Sequence, residues 1–166
     1  MPIFDAAVAT RLAAGLVHVR HEAAAVHMAD AWGRLQPQPG VALVTAGPGF
    51  ANTLSALFVA QAAEAPLVLL SGDAPLSATG AFQTMPQVAM AAGVTKASWR
   101  VEDPAMLGRD VRRALALAAA GRPGPVHLAL PDDVLRAEVT ATAPPPPPEP
   151  EPELPDAAVA AVLEAL

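Results

Sequence analysis

The stretch VALVTAGPGFANTLSALFVAQAAEAPLVLL, residues 41–70, decides the fold. Val41-Ala42-Leu43-Val44-Thr45 opens it with a short continuous apolar run, Gly47-Pro48-Gly49 forms a turn, and Phe50 to Ala63 has helical character. Pro66 then opens a second run, Leu67-Val68-Leu69-Leu70. Uninterrupted apolar strands must be buried on both faces. Alternating with helices, they specify a parallel sheet covered by helices on either side.

The same alternation extends outward in both directions. Upstream, residues 3–14 have apolar side chains at helical spacing and stop at Gly15, a residue suited to a left-handed helix end. Leu16-Val17-His18-Val19 is expected as a strand, and Glu22 to Leu35 as a helix broken by Pro37, Pro39 and Gly40. Downstream, a loop from Gly72 to Gly80 leads to a short helix near Pro86–Ala92. A strand at Lys96–Val101, a helix at Pro104–Ala120 and a last strand at Val126–Leu130 follow. The fold class is α/β, an open parallel sheet with helices on both faces.

The chain has room for one domain and a tail. Its many alanines carry little weight as helix signals, because nine of its ten basic residues are Arg and Pro is also abundant, the mark of a GC-rich coding bias. Ala143 to Pro155, APPPPPEPEPELP, cannot form a ladder or a helix and is expected as a stiff polyproline linker, reaching at most roughly 40 Å at about 3.1 Å per residue. Asp156 can cap a final helix, Ala157–Leu166, whose apolar face has nothing of its own to pack on.

Several function classes are disfavoured. A net charge of −6 without Lys/Arg clusters argues against a nucleic-acid partner. The absence of Cys removes disulfides, thiolate nucleophiles and Cys-ligated metals, and fits a reducing compartment, so cytoplasm is the expected location. No run of about 18 apolar residues marks a membrane span, and the start lacks a signal-peptide pattern.

Arg20-His21-Glu22 follows the expected strand and opens a helix, which puts Glu22 at the C-terminal edge of the sheet, where ligand sites of open α/β sheets gather. Taken alone, Glu22 is better read as an acidic partner of the helix dipole, worth about 0.3–1 kcal/mol. A zinc-protease helix is excluded by spacing, since the next His after His21-Glu22 is His27. His18 and His27 are taken as structural. Thr45-Ala46-Gly47-Pro48-Gly49-Phe50-Ala51-Asn52 is a strand-to-helix turn whose glycines let backbone approach a ligand, without the Gly-Lys-Ser/Thr of a phosphate loop. Gly121-Arg122-Pro123-Gly124-Pro125 is a helix stop before a strand.

In this order and spacing, RHE, TAGPGFANTLSAL, APLVLLSGDAP, GAFQ, Thr95-Lys96 and GRPGPVHLALPDDV resemble the N-terminal pyrimidine-binding domain of thiamine-diphosphate enzymes. The likeness covers roughly residues 3–136, and Phe82-Gln83 with the Gly-Pro-Gly turn is closest to acetolactate synthases. Gln83 to Gln87 is also similar to oxalyl-CoA decarboxylase and 2-hydroxyacyl-CoA lyase.

The resemblance implies a catalytic glutamate at Glu22, bonded to the aminopyrimidine of thiamine diphosphate and held in a dry pocket where desolvation raises its pKa. It implies cofactor contacts by Thr45, Gly47, Pro48, Gly49 and Asn52, and puts Phe82 and Gln83 toward substrate. Thr84 stands where the family usually has Glu, and Pro86 where Asp is frequent, which separates the chain's specificity from the common pattern. The chain itself carries no metal ligand: Mg²⁺ would be held through a Gly-Asp-Gly…Asn motif that does not occur here, and FAD remains open for the complete enzyme.

By the same resemblance, residues 1–136 are the pyrimidine-binding domain without its first strand, residues 137–155 a linker, and residues 156–166 the start of a truncated central domain. An interior strand lost from the sheet leaves backbone groups unpaired, so the chain is expected to be marginally stable or to associate. The complete enzyme would decarboxylate and ligate pyruvate or a related 2-keto acid as a homo-oligomer, the chain alone being inactive. The alternatives are a split, sulfopyruvate-decarboxylase-like subunit paired with a chain carrying the diphosphate-binding domain, an oxalyl-CoA decarboxylase or 2-hydroxyacyl-CoA lyase-like piece, and a non-catalytic oligomerisation module.

Overall fold

A computed structural model describes residues 2–10, 15–78, 80–140, 144 and 155–165. Helices α1 (Pro2–Ala9) and α2 (Glu22–Leu35) precede strand β1 (Gly40–Val44). The short α3 (Pro48–Ala51) and α4 (Leu54–Ala62) lead to β2 (Leu67–Asp73), followed by α5 (Gln87–Ala91), β3 (Ala97–Arg100), α6 (Leu107–Ala119), β4 (Pro125–Pro131) and α7 (Asp132–Arg136). Helix α8 (Asp156–Ala165) closes the chain.

The strands make a four-stranded, all-parallel sheet in the order β1-β2-β4-β3. Central β4 is buried at every position, as its sequence, apolar except for His127, requires. Two cores result. On one face α2, α3 and α4 cover Ala42, Val44, Leu67 and Leu69, with Val26, Phe50 and Leu57 at its centre. On the other, α6 and α7 enclose Val68, Val126, Leu128 and Leu130, with Ile3 and Trp99 packed against them. The expected α/β class is the observed one.

Local chemistry explains the boundaries. His21 is the N-cap of α2: its Nδ1 accepts the Ala23 N–H at 3.2 Å. The helix expected over Phe50 to Ala63 is split at Asn52 and Thr53, where Thr53 Oγ1 donates to the Phe50 carbonyl at 2.6 Å and so competes with the helical ladder. Asp103 caps the 3₁₀ turn Pro104–Met106 that opens α6. At the other end of α6, Lys96 Nζ donates to the carbonyls of Leu117 and Ala120 at 2.5 and 2.7 Å, a cation on a helix C-terminus. Gly121, left-handed at φ 54°, turns the chain toward β4.

Two expectations are corrected. Leu16–Val19 is not a strand: it is exposed and makes no ladder, because β-propensity without a neighbouring edge in register leaves an extended segment outside the sheet. Helix α1 ends at Ala9, and Gly15 does not adopt a left-handed conformation. Residues 11–14 lie outside the described residues, as do most of the 143–155 proline run and Leu166. His18 and His27, expected as structural, are both exposed, and His18 stacks on Phe4 at 6.1 Å.

Among the described residues β1 pairs only with β2, leaving its other edge without a strand, and its Val41 is 56 % exposed. No helix among the described residues is long and apolar enough to cross a membrane.

Candidate functional site

The C-terminal edge of β1 and the helix starts beside it bring together residues from three parts of the chain. Glu22 is the first residue of α2, half-buried, and its Oε2 accepts a hydrogen bond from Asn52 Nδ2 at 3.0 Å. Gly49 lies against the same carboxylate. A Cβ there would collide with Thr45 Cγ2 and come within 3.3 Å of Glu22 Oε1, so the bare glycine keeps this side of the carboxylate clear.

Gly47, the N-cap of α3, has φ 58°, ψ −113°, a conformation that side chains rarely adopt, and a Cβ would collide with the carbonyl oxygen of Gln83. The loop after β2 therefore rests on the turn after β1. Gln83 takes a left-handed backbone, φ 67°, a conformation that costs a non-glycine residue about 1–2 kcal/mol. Phe82 points away, 93 % exposed, and Pro48 and Thr45 are exposed at the rim. Of the sequence-derived candidates, Glu22, Thr45, Gly47, Gly49, Asn52 and Gln83 thus form one cluster with Pro48 at its edge. Phe82 stands outside it.

The electrostatics of Glu22 differ from expectation. Its carboxyl is held below the usual carboxylate range, first by the Asn52 amide and next by its own backbone N–H, which together outweigh the opposing effect of burial. The dry environment that would raise it is not formed around the carboxylate by the described residues.

Several residues behind the site had gone unrecognised. Asp133, at the start of α7, accepts the backbone N–H of Leu76 at 3.0 Å and of Ser77 at 3.3 Å, which ties down the loop that leads to Gln83. Its pKa is lowered, chiefly by the Leu76 N–H. Arg100 Nη2 lies 2.6 Å from Oδ2 of buried Asp73, at the C-terminal ends of β3 and β2. His127, fully buried in β4, has Nε2 2.8 Å from Ser71 Oγ and Nδ1 2.8 Å from Ser98 Oγ, with the Phe50 ring 4.8 Å away. Burial pushes its pKa down to about 4, so it is neutral at pH 7. A His inside a continuous apolar run was the available signal, since a buried ring of that kind requires partners on both nitrogens.

Among the described residues no group of three or more His, Cys, Asp or Glu side chains could hold a metal ion. The cluster suits an aromatic nitrogen heterocycle instead: a carboxylate and an amide for ring hydrogen bonds, and bare glycine backbone beside them.

Comparison with known proteins identifies the family. Residues 1–92 match the thiamine pyrophosphate enzyme, N-terminal TPP binding domain. The acetolactate synthase large subunit of Parasynechococcus marenigrum is 40% identical over 81% of this chain, and that match covers 22% of the relative. Acetolactate synthase isozyme 3 large subunit of Escherichia coli is 44% identical over 72% of the chain and 21% of the relative. The 2-hydroxyacyl-CoA lyase 2 of Caenorhabditis elegans is 44% identical over 76% of the chain and 20% of the relative. The chain spans about a fifth of the length of the curated relatives it matches. With its parallel sheet, its carboxylate–amide pair at the sheet edge and a match over more than half its length, this chain belongs to the thiamine pyrophosphate enzyme family, as an N-terminal TPP-binding domain.

Proposed function

We propose that this chain supplies the pyrimidine-binding half of a thiamine-diphosphate site in an acetolactate-synthase-like enzyme acting on pyruvate or a related 2-keto acid. One observation carries the reading: Glu22, Asn52 and the bare face of Gly49 converge at one sheet edge. Glu22 is the catalytic residue, sharing a proton with a ring nitrogen of the aminopyrimidine. Asn52 holds the carboxylate in place, and Thr45, Gly47, Pro48 and Gly49 line the ring's approach. Gln83, seated on Gly47, and Phe82 face the substrate side. When bound, thiamine diphosphate supplies the carbon nucleophile and the electron sink.

The diphosphate and its Mg²⁺ belong to a second domain, contributed by a homo-oligomer partner or by a separate subunit. A buried carboxyl is what a proton-sharing glutamate needs, and the cover that would dry Glu22 comes from that partner. Residues 1–136 act as the domain, 137–155 as the linker and 156–166 as the start of a further domain, in a cytoplasmic enzyme that can carry FAD. The 44% identity to 2-hydroxyacyl-CoA lyase 2 supports a second reading, a lyase of that kind, with the same ring site and a different substrate face.

Titration of the isotope-labelled chain with thiamine diphosphate tests the ring site. Amide shifts are expected at Glu22, Gly49 and Asn52, absent with pyrophosphate alone and lost in Glu22→Gln. Equal shifts with pyrophosphate, or shifts elsewhere, reject the reading. In the complete enzyme, Glu22→Gln is expected to slow turnover by about 10²–10⁴ with the fold intact, the scale of a lost acid–base group.

A further inference from the structure

Gln83 occupies the third position of a turn at residues 81–84, in which the Thr84 N–H donates to the Ala81 carbonyl at 3.1 Å and Thr84 Oγ1 to the same oxygen at 2.6 Å. A positive φ at that position, here 67°, is the place of Gly or Asn. A glutamine keeps it only where the surrounding structure over-determines the backbone. This turn is also the part of the loop that rests on Gly47. What holds it lies at the two ends of the loop.

At the start, Asp73 Oδ1 accepts the Ala74 N–H at 2.8 Å while Oδ2 faces Arg100. At the far end stands Gln87, the first residue of α5, 1 % exposed, with Nε2 donating to the Gly72 carbonyl at 3.0 Å. That single bond ties the end of the loop to its root on β2, fifteen positions earlier. Helix α5, five residues long, has too short a ladder to fix that end by itself. The other end of the amide is unfavourable: Gln87 Oε1 is buried with no hydrogen-bond partner among the described residues. An unpaired buried acceptor offsets what the bond to Gly72 contributes, so Gln87 adds little to the stability of the fold, and a Met of similar volume would fill the same space.

We propose that Gln87 is a positioning residue: through the Gly72 carbonyl it closes the loop after β2, so that Gln83 keeps its left-handed backbone against the Gly47 turn and the rim of the ring site keeps its shape. The bearing on a ligand rests on the ring-site reading above, whereas the clamp is a property of the chain without ligand.

Amide hydrogen exchange and NMR of the full chain, first without ligand, test it. Gln87→Met is expected to speed exchange of the Thr84 amide about tenfold or more and to shift the Gly47 amide, while the β2 and β4 amides and the urea midpoint stay close to those of the parent. Because the clamp works against strain at Gln83, Gln83→Gly, which takes a positive φ freely, should cut the effect of Gln87→Met on Thr84 to under about threefold. The parent chain supplies a readout that needs no variant: the Gln87 side-chain NH2 should be protected from solvent exchange, and a freely exchanging one overturns the proposal. Unchanged Thr84 exchange in Gln87→Met overturns it as well. So does a lowered urea midpoint with exchange raised evenly across the sheet, which would make Gln87 a support of the whole fold, and so does an equal effect with and without Gln83→Gly. Thiamine diphosphate is then added. In Gln87→Met the ligand shifts at Glu22 and Asn52 should persist while those at Gly47 and Gln83 change; ligand shifts at Gly47 and Gln83 identical to the parent's overturn the role at the rim. A parent chain with no ligand shift at Glu22 or Asn52 rejects the ring site and leaves the clamp to be judged on the exchange data.

Discussion

Asn52 Nδ2 donates to Glu22 Oε2 across 3.0 Å, joining the first residue of α2 to the C-cap of α3 thirty positions further on. This bond is the largest cause of the lowered Glu22 pKa. Asn52→Ala is expected to move the Glu22 titration back up toward an ordinary carboxylate, measured by carbon NMR of the side-chain carboxyl. The sign for stability follows: a depressed folded pKa contributes above the unfolded value and is lost as pH falls through the folded one. The variant should therefore lose less stability in acid than the parent chain.

His127 gives a pH dependence in a different window. Its folded pKa, about 4, lies below the ordinary 6.5, so protonation favours the unfolded chain. The stabilising effect of the neutral ring is present above pH 6.5 and lost as pH falls toward 4, on the order of 3 kcal/mol in all. Urea unfolding at a series of pH values reads this loss. His127→Leu should flatten the curve between those limits, while costing about 1–3 kcal/mol at neutral pH because the Ser71 and Ser98 hydroxyls lose their buried partner.

Asp73 is a buried carboxylate whose cationic partner is the Arg100 guanidinium, half-buried at 2.6 Å. Arg100→Ala is expected to destabilise the fold by about 2–4 kcal/mol, slightly under the range for a broken buried pair because Arg100 reaches solvent. The double variant Asp73→Asn with Arg100→Ala should recover part of that loss. Chemical denaturation of both variants measures it.

Asp133 anchors the loop after β2 through the N–H groups of Leu76 and Ser77. Asp133→Ala is expected to raise amide exchange at those two positions while leaving the β2 amides protected. Because that loop carries Gln83 onto Gly47, the variant should also broaden the Gly47 amide resonance.

The repeating strand–helix order was legible because continuous apolar runs and Gly/Pro breaks are local signals. Helix Glu22–Leu35, β2, β4 and the Gly121 turn stand where those signals put them. Glu22 and the Gly47-Pro48-Gly49 turn were legible as candidates through their order along the chain, and they lie side by side in the fold. Leu16–Val19 was misread because its composition suits a strand, and pairing is not a property of composition. The roles of Asp73, Ser98, Arg100 and Asp133 were illegible: each acts on a residue far away in sequence, and nothing in its local pattern names that partner.

By itself the sequence determined the parallel α/β architecture, since apolar period and turn chemistry are written residue by residue. It also determined which carboxylate opens the helix at the sheet edge. Only the tertiary structure decided what that carboxylate touches and how it titrates. A pKa depends on distances of a few ångströms to groups such as the Asn52 amide, and on how much water remains. Those distances arise when α2, the turn after β1 and the loop after β2 pack on a common sheet.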